Sequence, residues 1–277
     1  MTYRMPSFHN VSPLRYPGGK TRAREQLKKV FMDHYDWNSY QALLSPYFGG
    51  GSFEFYMQNE LGYRLLVNDK FLPLTLFWDA VKYSKPELVQ RLKEIKVDKE
   101  TFVQFRQELS DDLDDCDEVD IAAKFFVINR CSFSGATLSG GYSQEAAEKR
   151  FTNSSIDRVA AMDLSYFRMG CSDGTEFIRL NNPRPTDFIF ADPPYYLGTR
   201  SKLYGKNGDL HEDFDHQALA SRLRRCKSWM LTYNDCPEIR ELYQGYKIIP
   251  LEWSYGMNTS KKSSEIVILS IKEDIEV

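Results

Sequence analysis

Short apolar segments alternate with amphipathic helical segments in two separate parts of this chain, and that alternation limits the folds open to it. Each apolar segment has the length of a buried strand, and a glycine, aspartate or asparagine lies within a few residues of its apolar end. The strand candidates are residues 42–44, 65–67, 167–173, 187–194 and 228–235. Helical periodicity follows in the intervening segments. Such alternation predicts an α/β fold with an open, mostly parallel sheet covered by helices on both faces.

The middle of the chain departs from this alternation. Residues 73–165 are mostly helical in periodicity, which separates the strand candidates into two groups. Within this region, residues 131–155 are rich in Gly, Ser and Thr and predict a loop or hairpin. The last two apolar segments, at 246–255 and 264–271, predict a closing antiparallel pair. We expect one sheet domain with a long helical insertion.

Charge and composition exclude several classes of protein. The 36 Lys and Arg nearly balance 39 Asp and Glu, but eight of the acids lie in residues 108–120, so basic surface remains elsewhere. No apolar run approaches the roughly 18–20 residues of a membrane helix, and the N-terminus lacks an apolar signal core. Five cysteines without a C-x-x-C pair indicate free thiols. We expect a cytoplasmic protein without a membrane partner or structural zinc.

The segment PYFGGGSF joins a predicted strand to a predicted helix. Glycines allow a backbone to pass close to a ligand and to adopt positive φ. Asp69, at the end of the next strand, follows Gly51 by 18 residues. That spacing matches a carboxylate that binds ribose hydroxyls. The pattern indicates nucleoside binding, and a purely structural glycine turn is the alternative.

The segment PLRYPGGKT ends in Gly19-Lys20-Thr21, which is similar to the end of a phosphate-binding loop. A P-loop would need glycine where Leu14 stands and a strand before it, and neither is present. We therefore expect a turn that directs the Lys20 ammonium at a carboxylate or a phosphate. Tyr16 would then cover an apolar or sulfonium-bearing ligand by cation–π contact.

The segment IFADPPYY has the most specific pattern. An apolar strand ends in Asp192, and two prolines then form a rigid extended turn with carbonyls and no N–H groups. Tyr195 follows as a presented aromatic ring. The Asp192 carboxylate and a proline carbonyl could accept hydrogen bonds from the exocyclic amine of a planar base, while the Tyr195 ring stacks on that base. The alternative is a strand that ends at proline beside a core tyrosine.

The chain resembles the Dam-type (alpha-group) DNA adenine-N6 methyltransferases in five segments and in their order along the sequence. The segments are RYPGGK, PYFGGGSF, VNDK, DPPY, and a tail from YND to EIRELYQGY that is followed by SEIVIL. The resemblance covers residues 13–277 and is weakest over 75–165. It implies a Rossmann-like methyltransferase sheet with an antiparallel closing strand. Residues 1–72 and 166–277 would form the catalytic domain, and residues 73–165 the target-recognition insertion.

That family transfers a methyl group from S-adenosylmethionine to the amine of a flipped-out adenine, and no metal is required. The resemblance assigns cofactor binding to Tyr16, Lys20, Phe48, Gly49, Gly51, Asp69, Asp173 and Asp192. It assigns catalysis to Asp192, Pro193, Pro194 and Tyr195: the first two accept hydrogen bonds from the target amine, and Tyr195 stacks on the base. Ser45 is a departure, because the family commonly has an acid before the proline here.

Double-stranded DNA is the expected partner. We expect its contacts at Arg130, Ser134, Lys149, Arg150 and Asn153, where basic residues and aromatic residues alternate with flexible Gly and Ser. A cognate restriction endonuclease is a further candidate partner, and the expected state is a monomer or a weak dimer on DNA. The alternatives are a cytosine-N4 methyltransferase, an inactive DNA-binding homologue, and an oxidoreductase that binds a dinucleotide at the glycine turn.

Overall fold

The computed structural model describes residues 7–111, 113, 116–196, 214–251 and 265–273, except the side chain of residue 134. Within these residues a single mixed sheet has seven strands. They are β1 (Ala42–Ser45), β2 (Arg64–Asp69), β3 (Phe167–Cys171), β4 (Asp187–Ala191), β5 (Trp229–Asn234), β6 (Tyr246–Leu251) and β7 (Glu265–Lys272). Their order is β3-β2-β1-β4-β5-β7-β6, and only β7 runs antiparallel to its neighbours. The predicted α/β sheet with an antiparallel closing strand is confirmed.

Helices cover both faces of this sheet. They are α1 (Arg24–His34), α2 (Ser52–Leu61), α3 (Leu72–Tyr83), α4 (Lys85–Glu94), α5 (Lys99–Glu108), α6 (Glu118–Cys131), α7 (Gln144–Arg150), α8 (Asn153–Ala161), α9 (Gly174–Asn181), α10 (His216–Leu223) and α11 (Pro237–Leu242). No helix in the described ranges has the length and apolar content needed to cross a membrane.

The central strand β4 shows why the sheet has two apolar cores. All five of its residues are buried. Successive side chains of a strand point to opposite faces, so Phe188 and Phe190 join the core that contains α1 to α6. Ile189 and Ala191 instead join the core of α9, α10 and α11. A strand buried on both faces has a continuous apolar sequence, which is the pattern found in residues 188–191.

The predicted insertion leaves the sheet after β2 and returns to it at β3. Its first helix, α3, packs on β2 and β3, and α6 packs against α3. The Phe77 and Phe126 rings join these two helices, stacked with centroids 5.5 Å apart. The insertion therefore shares the apolar core of one sheet face. Its limits at 73 and 165 stay a prediction.

The region 131–155 differs from the predicted loop, because it contains α7 and the start of α8. Polar residues that indicated a loop instead cap these helices. The Ser143 side chain accepts a hydrogen bond from the Ala146 N–H, and Thr152 with Ser155 forms a capping box at the start of α8. Such caps satisfy N–H groups that lack partners within the helix. Only the first part matches the prediction, as Ser132 and Tyr142 form an isolated antiparallel bridge.

The sheet order reverses between β1 and β4, which are adjacent and parallel. In open α/β sheets, a crevice opens at the carboxyl ends of strands at such a switch point. The glycine turn follows β1 there, and Asp192 follows β4. The topology thus brings the two segments together although about 140 residues of sequence separate them.

Candidate active site

A cavity of about 870 Å³ lies at this switch point. Its walls are the N-terminal segment before α1, the glycine turn, the start of α9 and the turn after β4. Every residue assigned to the cofactor or to catalysis lines it: Tyr16, Lys20, Phe48, Gly49, Gly51, Asp69, Asp173, Asp192, Pro193, Pro194 and Tyr195. The cavity therefore brings together segments that are far apart in the sequence.

Asp192 is held on both carboxylate oxygens. Its Oδ2 lies 2.7 Å from the Lys20 Nζ, and its Oδ1 accepts a hydrogen bond of 2.5 Å from the Thr232 hydroxyl of β5. Lys20 is only 5% exposed, and its Nζ also donates to the Gly18 carbonyl at 2.9 Å. The sequence left open whether Lys20 faces a carboxylate or a phosphate. Here it faces a carboxylate, so the Asp192 side chain has a fixed orientation.

Tyr195 is less exposed than a presented aromatic ring would be. Its hydroxyl donates to the Glu265 Oε2 at 2.7 Å, and the Lys20 Nζ lies 5.1 Å from its ring centroid. Burial raises the pKa of Tyr195 well above its ordinary value, so the hydroxyl is protonated and acts as a donor. The ring is thus fixed inside the cavity beside Asp192.

Two aromatic rings fill the space beside the glycine turn. Gly49 and Gly51 have φ values of 52° and 64°, in the left-handed region that glycine adopts without strain. A Cβ on Gly49 would lie 2.9 Å from the Tyr16 ring, and one on Gly51 would lie 2.2 Å from the Phe48 ring. These two positions therefore need glycine for conformation and for space.

Asp69 fixes the same turn. Its Oδ2 accepts a hydrogen bond from the Gly49 N–H at 2.9 Å, and its Oδ1 accepts one from the Phe71 N–H at 3.0 Å. Burial raises its pKa, and these hydrogen bonds act against that rise. Asp173 has a comparable role, since its Oδ1 caps α9 by accepting from the Thr175 N–H at 2.8 Å. Both carboxylates remain at the cavity wall.

The sequence did not predict three groups of this site, Glu54, Thr232 and Glu265. Glu54 is in the first turn of α2 and is 3% exposed, and it accepts a hydrogen bond of 2.7 Å from the Ser45 hydroxyl. Burial raises its pKa to about 7. The sequence did offer one indication of Glu54: it is an acidic residue within the apolar start of a helix, SFEFYM, where a buried position is expected.

Arg130, one of the expected DNA contacts, braces the protein backbone. Its Nε donates to the Arg150 carbonyl at 2.7 Å, and its Nη1 donates to the Pro13 carbonyl at 3.0 Å. The neighbouring Asn129 side chain accepts from the Arg15 N–H at 2.9 Å and donates to the Arg15 carbonyl at 2.6 Å. The end of α6 thereby holds the segment that carries Tyr16 and Lys20.

Four arginines are close together at this edge of the cavity, and we call Arg15, Arg130, Arg150 and Arg158 the arginine cluster. Burial, then the charges of the other three, lowers the pKa of Arg130 to about 10. No carboxylate of the described residues forms a salt bridge with any of the four. Arg15 and Arg158 also line the cavity. The cluster is thus a concentration of positive charge.

The other expected DNA contacts lie nearby, in three different settings. Lys149 is exposed and pairs with Glu145 of the same helix at 2.9 Å. Asn153 is exposed at the first position of α8. Ser134 lies in a short 3-10 turn, and its side chain is outside the described part of the structure.

The chemistry of the cavity suits a ligand with a nucleoside part and a cationic part. Carboxyls of Glu54, Asp192 and Glu265 surround one ammonium group, that of Lys20. The backbone of the glycine turn and the Tyr16 ring provide a surface for close approach. Across the described ranges, no group of three or more His, Cys, Asp or Glu side chains could hold a metal ion.

Comparison with known proteins identifies the family. The model of the D12 class N6 adenine-specific DNA methyltransferases matches residues 16–257, and the chain belongs to this family. Type II methyltransferase M.MjaIII of Methanocaldococcus jannaschii is similar to this chain, with 22% identity over 202 residues, or 66% of this chain and 68% of the relative. The protein is therefore an adenine-specific DNA methyltransferase.

Proposed function

We propose that this enzyme methylates adenine within a specific sequence of double-stranded DNA, using S-adenosylmethionine bound in the cavity. The observation that best supports this proposal is the fixed orientation of the Asp192 carboxylate between Lys20 and Thr232. The same cavity contains the glycine turn and Asp69. Acceptors for a target amine would thus lie beside the bound nucleoside cofactor.

The cofactor supplies a methyl group on a positively charged sulfur. Tyr16 and Lys20 would bind its methionine end, and Phe48, Gly49 and Gly51 would line its path across the turn. Asp69 would bind the ribose with lone pairs that its two backbone hydrogen bonds leave available. Asp173 would meet the adenine edge of the cofactor. The cavity volume of about 870 Å³ is within the range of small-molecule sites.

Catalysis by this chain consists of positioning and hydrogen-bond acceptance. The lone pair of the adenine amine is delocalised into the ring, so the amine is a weak nucleophile. Asp192 and the Pro193 carbonyl would accept its two hydrogens and favour a pyramidal nitrogen. Pro194 keeps the turn rigid, because its ring fixes φ. Tyr195 would stack on the extruded base, whose removal from the duplex costs a few kcal/mol.

The arginine cluster would hold the phosphates next to that base. Arg15, Arg150 and Arg158 would contact DNA, and Arg130 would contact it or align the other three through the backbone. Phosphate contacts release condensed counterions, so each one adds to the salt dependence of binding. Lys149, Asn153 and Ser134 would extend this surface along the target-recognition insertion, residues 73–165.

Loss of Arg150 or Arg158 should weaken DNA binding and reduce its salt dependence. We expect Arg150→Ala and Arg158→Ala each to reduce the slope of log K against log salt by about 1. Arg240→Ala is the matched control, because Arg240 lies in α11, outside the insertion, and is already paired with Asp235 at 2.6 Å; its slope should equal that of wild type. Fluorescence anisotropy with labelled duplex DNA measures the slope. Slopes equal to wild type in both arginine variants would remove the cluster from the DNA interface.

The relative's description as a type II methyltransferase supports a partner restriction endonuclease for this enzyme. Methylation at one short sequence is then required, since the modification must protect the sites that the endonuclease cuts. The test is to methylate a plasmid and sequence it with a method that reports modified bases. We expect modified adenines at one short motif, and modification scattered without a motif would contradict the proposal. We expect a monomer or a weak dimer on DNA.

A further inference from the structure

Glu54 is a buried carboxyl that the proposed chemistry leaves without a role. It lies in the first turn of α2, lines the cavity and is 3% exposed. Its Oε1 accepts from the hydroxyl of Ser45, the last residue of β1. A buried ionisable group is costly unless it is paired or neutral, so its place at a ligand cavity needs an explanation.

The charges around Glu54 are unbalanced. The charged groups that act on it are Lys20, from the N-terminal segment, and Asp192, at the end of β4. Lys20 is already shared, with its Nζ 2.7 Å from Asp192 and 3.9 Å from Glu265. Two carboxyls, those of Glu54 and Asp192, therefore face the same ammonium, that of Lys20. The excess negative charge suits a cationic ligand.

We propose that the Glu54 carboxylate binds the methionine end of S-adenosylmethionine, which carries a positively charged sulfur. It thereby favours S-adenosylmethionine over the product, S-adenosylhomocysteine, whose sulfur is uncharged. This inference rests on the proposed function, which places that cofactor in this cavity. Ser45 contributes a hydroxyl without charge at the end of β1, and Glu54 supplies the charge at the same place from α2. The Ser45 hydrogen bond orients the carboxylate.

The pKa of Glu54, which burial raises to about 7, gives this role a pH dependence. At a pKa of about 7 the carboxyl is partly protonated near neutral pH, whereas a bound cation favours the ionised form. By linkage, the preference for the charged ligand should increase as pH rises through 7.

The test compares the dissociation constants of S-adenosylmethionine and S-adenosylhomocysteine by isothermal titration calorimetry. An opposite charge at close range shifts a carboxyl pKa by 1–3 units, so Glu54→Gln should reduce the preference for S-adenosylmethionine by about tenfold. Gln keeps the volume and an acceptor for Ser45. Glu60→Gln is the matched control on the same helix, because Glu60 is exposed and pairs with Lys28. It should leave the preference unchanged.

Each outcome decides the inference. An unchanged preference in Glu54→Gln, with both ligands still bound, would show that Glu54 only joins β1 to α2. If Glu54→Gln does not fold, as thermal unfolding would show, the wild type decides: its preference should increase between about pH 6 and about pH 8, and a flat ratio would contradict the role. Failure of the wild type to bind either ligand would instead contradict the proposed function.

Discussion

Asp192→Ala should lower the rate of methyl transfer to DNA by about a thousandfold or more, because in the proposed mechanism this side chain accepts a hydrogen bond from the target amine and it also holds Lys20 in place. Loss of one such preorganised hydrogen-bonding group typically costs about a hundredfold to a thousandfold. DNA affinity should remain near that of wild type, since Asp192 lies inside the cavity and not in the arginine cluster. Single-turnover transfer of a labelled methyl group measures the rate.

Asp33→Ala is a suitable control for this variant. Asp33 and Lys29 form an ion pair at 2.6 Å, which resembles the 2.7 Å pair of Asp192 and Lys20 but is exposed on α1. Exposed pairs contribute about 0–1 kcal/mol, so activity and stability should change little. Equal transfer rates in Asp192→Ala and wild type would overturn the proposed role of Asp192.

Gly51→Ala should destabilise the protein by about 3 kcal/mol or more and remove cofactor binding. The left-handed conformation costs a non-glycine residue roughly 1–2 kcal/mol, and overpacking adds about 1–3 kcal/mol. A Cβ at this position would lie 2.2 Å from Phe48, which is itself packed against Phe55 and Trp78. The turn would have to move. Chemical denaturation measures the free energy of unfolding, and calorimetry measures cofactor binding.

Two other glycines separate the cost of the left-handed backbone conformation from the cost of crowding by the added Cβ. Gly245 has a φ of 83° but open space around a Cβ, so Gly245→Ala should cost only about 1 kcal/mol. Gly141 has neither constraint, and Gly141→Ala should change stability by less than about 0.5 kcal/mol. If Gly51→Ala were no more damaging than Gly245→Ala, the Phe48 contact would not be what requires glycine there.

The sequence predicted the parts of the site that short segments determine. A strand, a turn and the residues between them are local, so the glycine turn and the acidic end of β4 could be predicted from the sequence. The likeness to a known family supplied the roles of Lys20 and Asp192, and the structure shows the two in contact. Local pattern and family order together thus predicted residues that line the cavity.

Contacts between distant segments could not be predicted in this way. Thr232 reaches Asp192 only because β5 lies beside β4, and Glu265 reaches Tyr195 only because β7 begins at the same edge. The guanidinium of Arg130 donates to the Pro13 and Arg150 carbonyls, which the sequence did not predict, and its contact with DNA stays a prediction. Which buried carbonyls need a donor depends on the packing of three segments, and no local pattern contains that information.

Residues 131–155 contain helices in place of the predicted loop for a similar physical reason. Ser, Thr and Asn favour both loops and helix caps, because their side chains bond to nearby backbone N–H groups. In this chain the capping role prevails at Ser143 and Thr152, since Ala146, Ala147 and Ile156 are buried against the rest of the insertion. Burial outweighed the local preference for a loop.

The chemical identity of the product tests the central claim most directly. Plasmid DNA lacking methylated bases would be incubated with the enzyme and S-adenosylmethionine, digested to nucleosides and analysed by mass spectrometry. The geometry of Asp192, Pro193 and Tyr195 in this family predicts N6-methyladenine in the wild-type reaction and its absence with Asp192→Ala. Two results would contradict the account: N4-methylcytosine as the product, or no methylated nucleoside from an enzyme that binds S-adenosylmethionine.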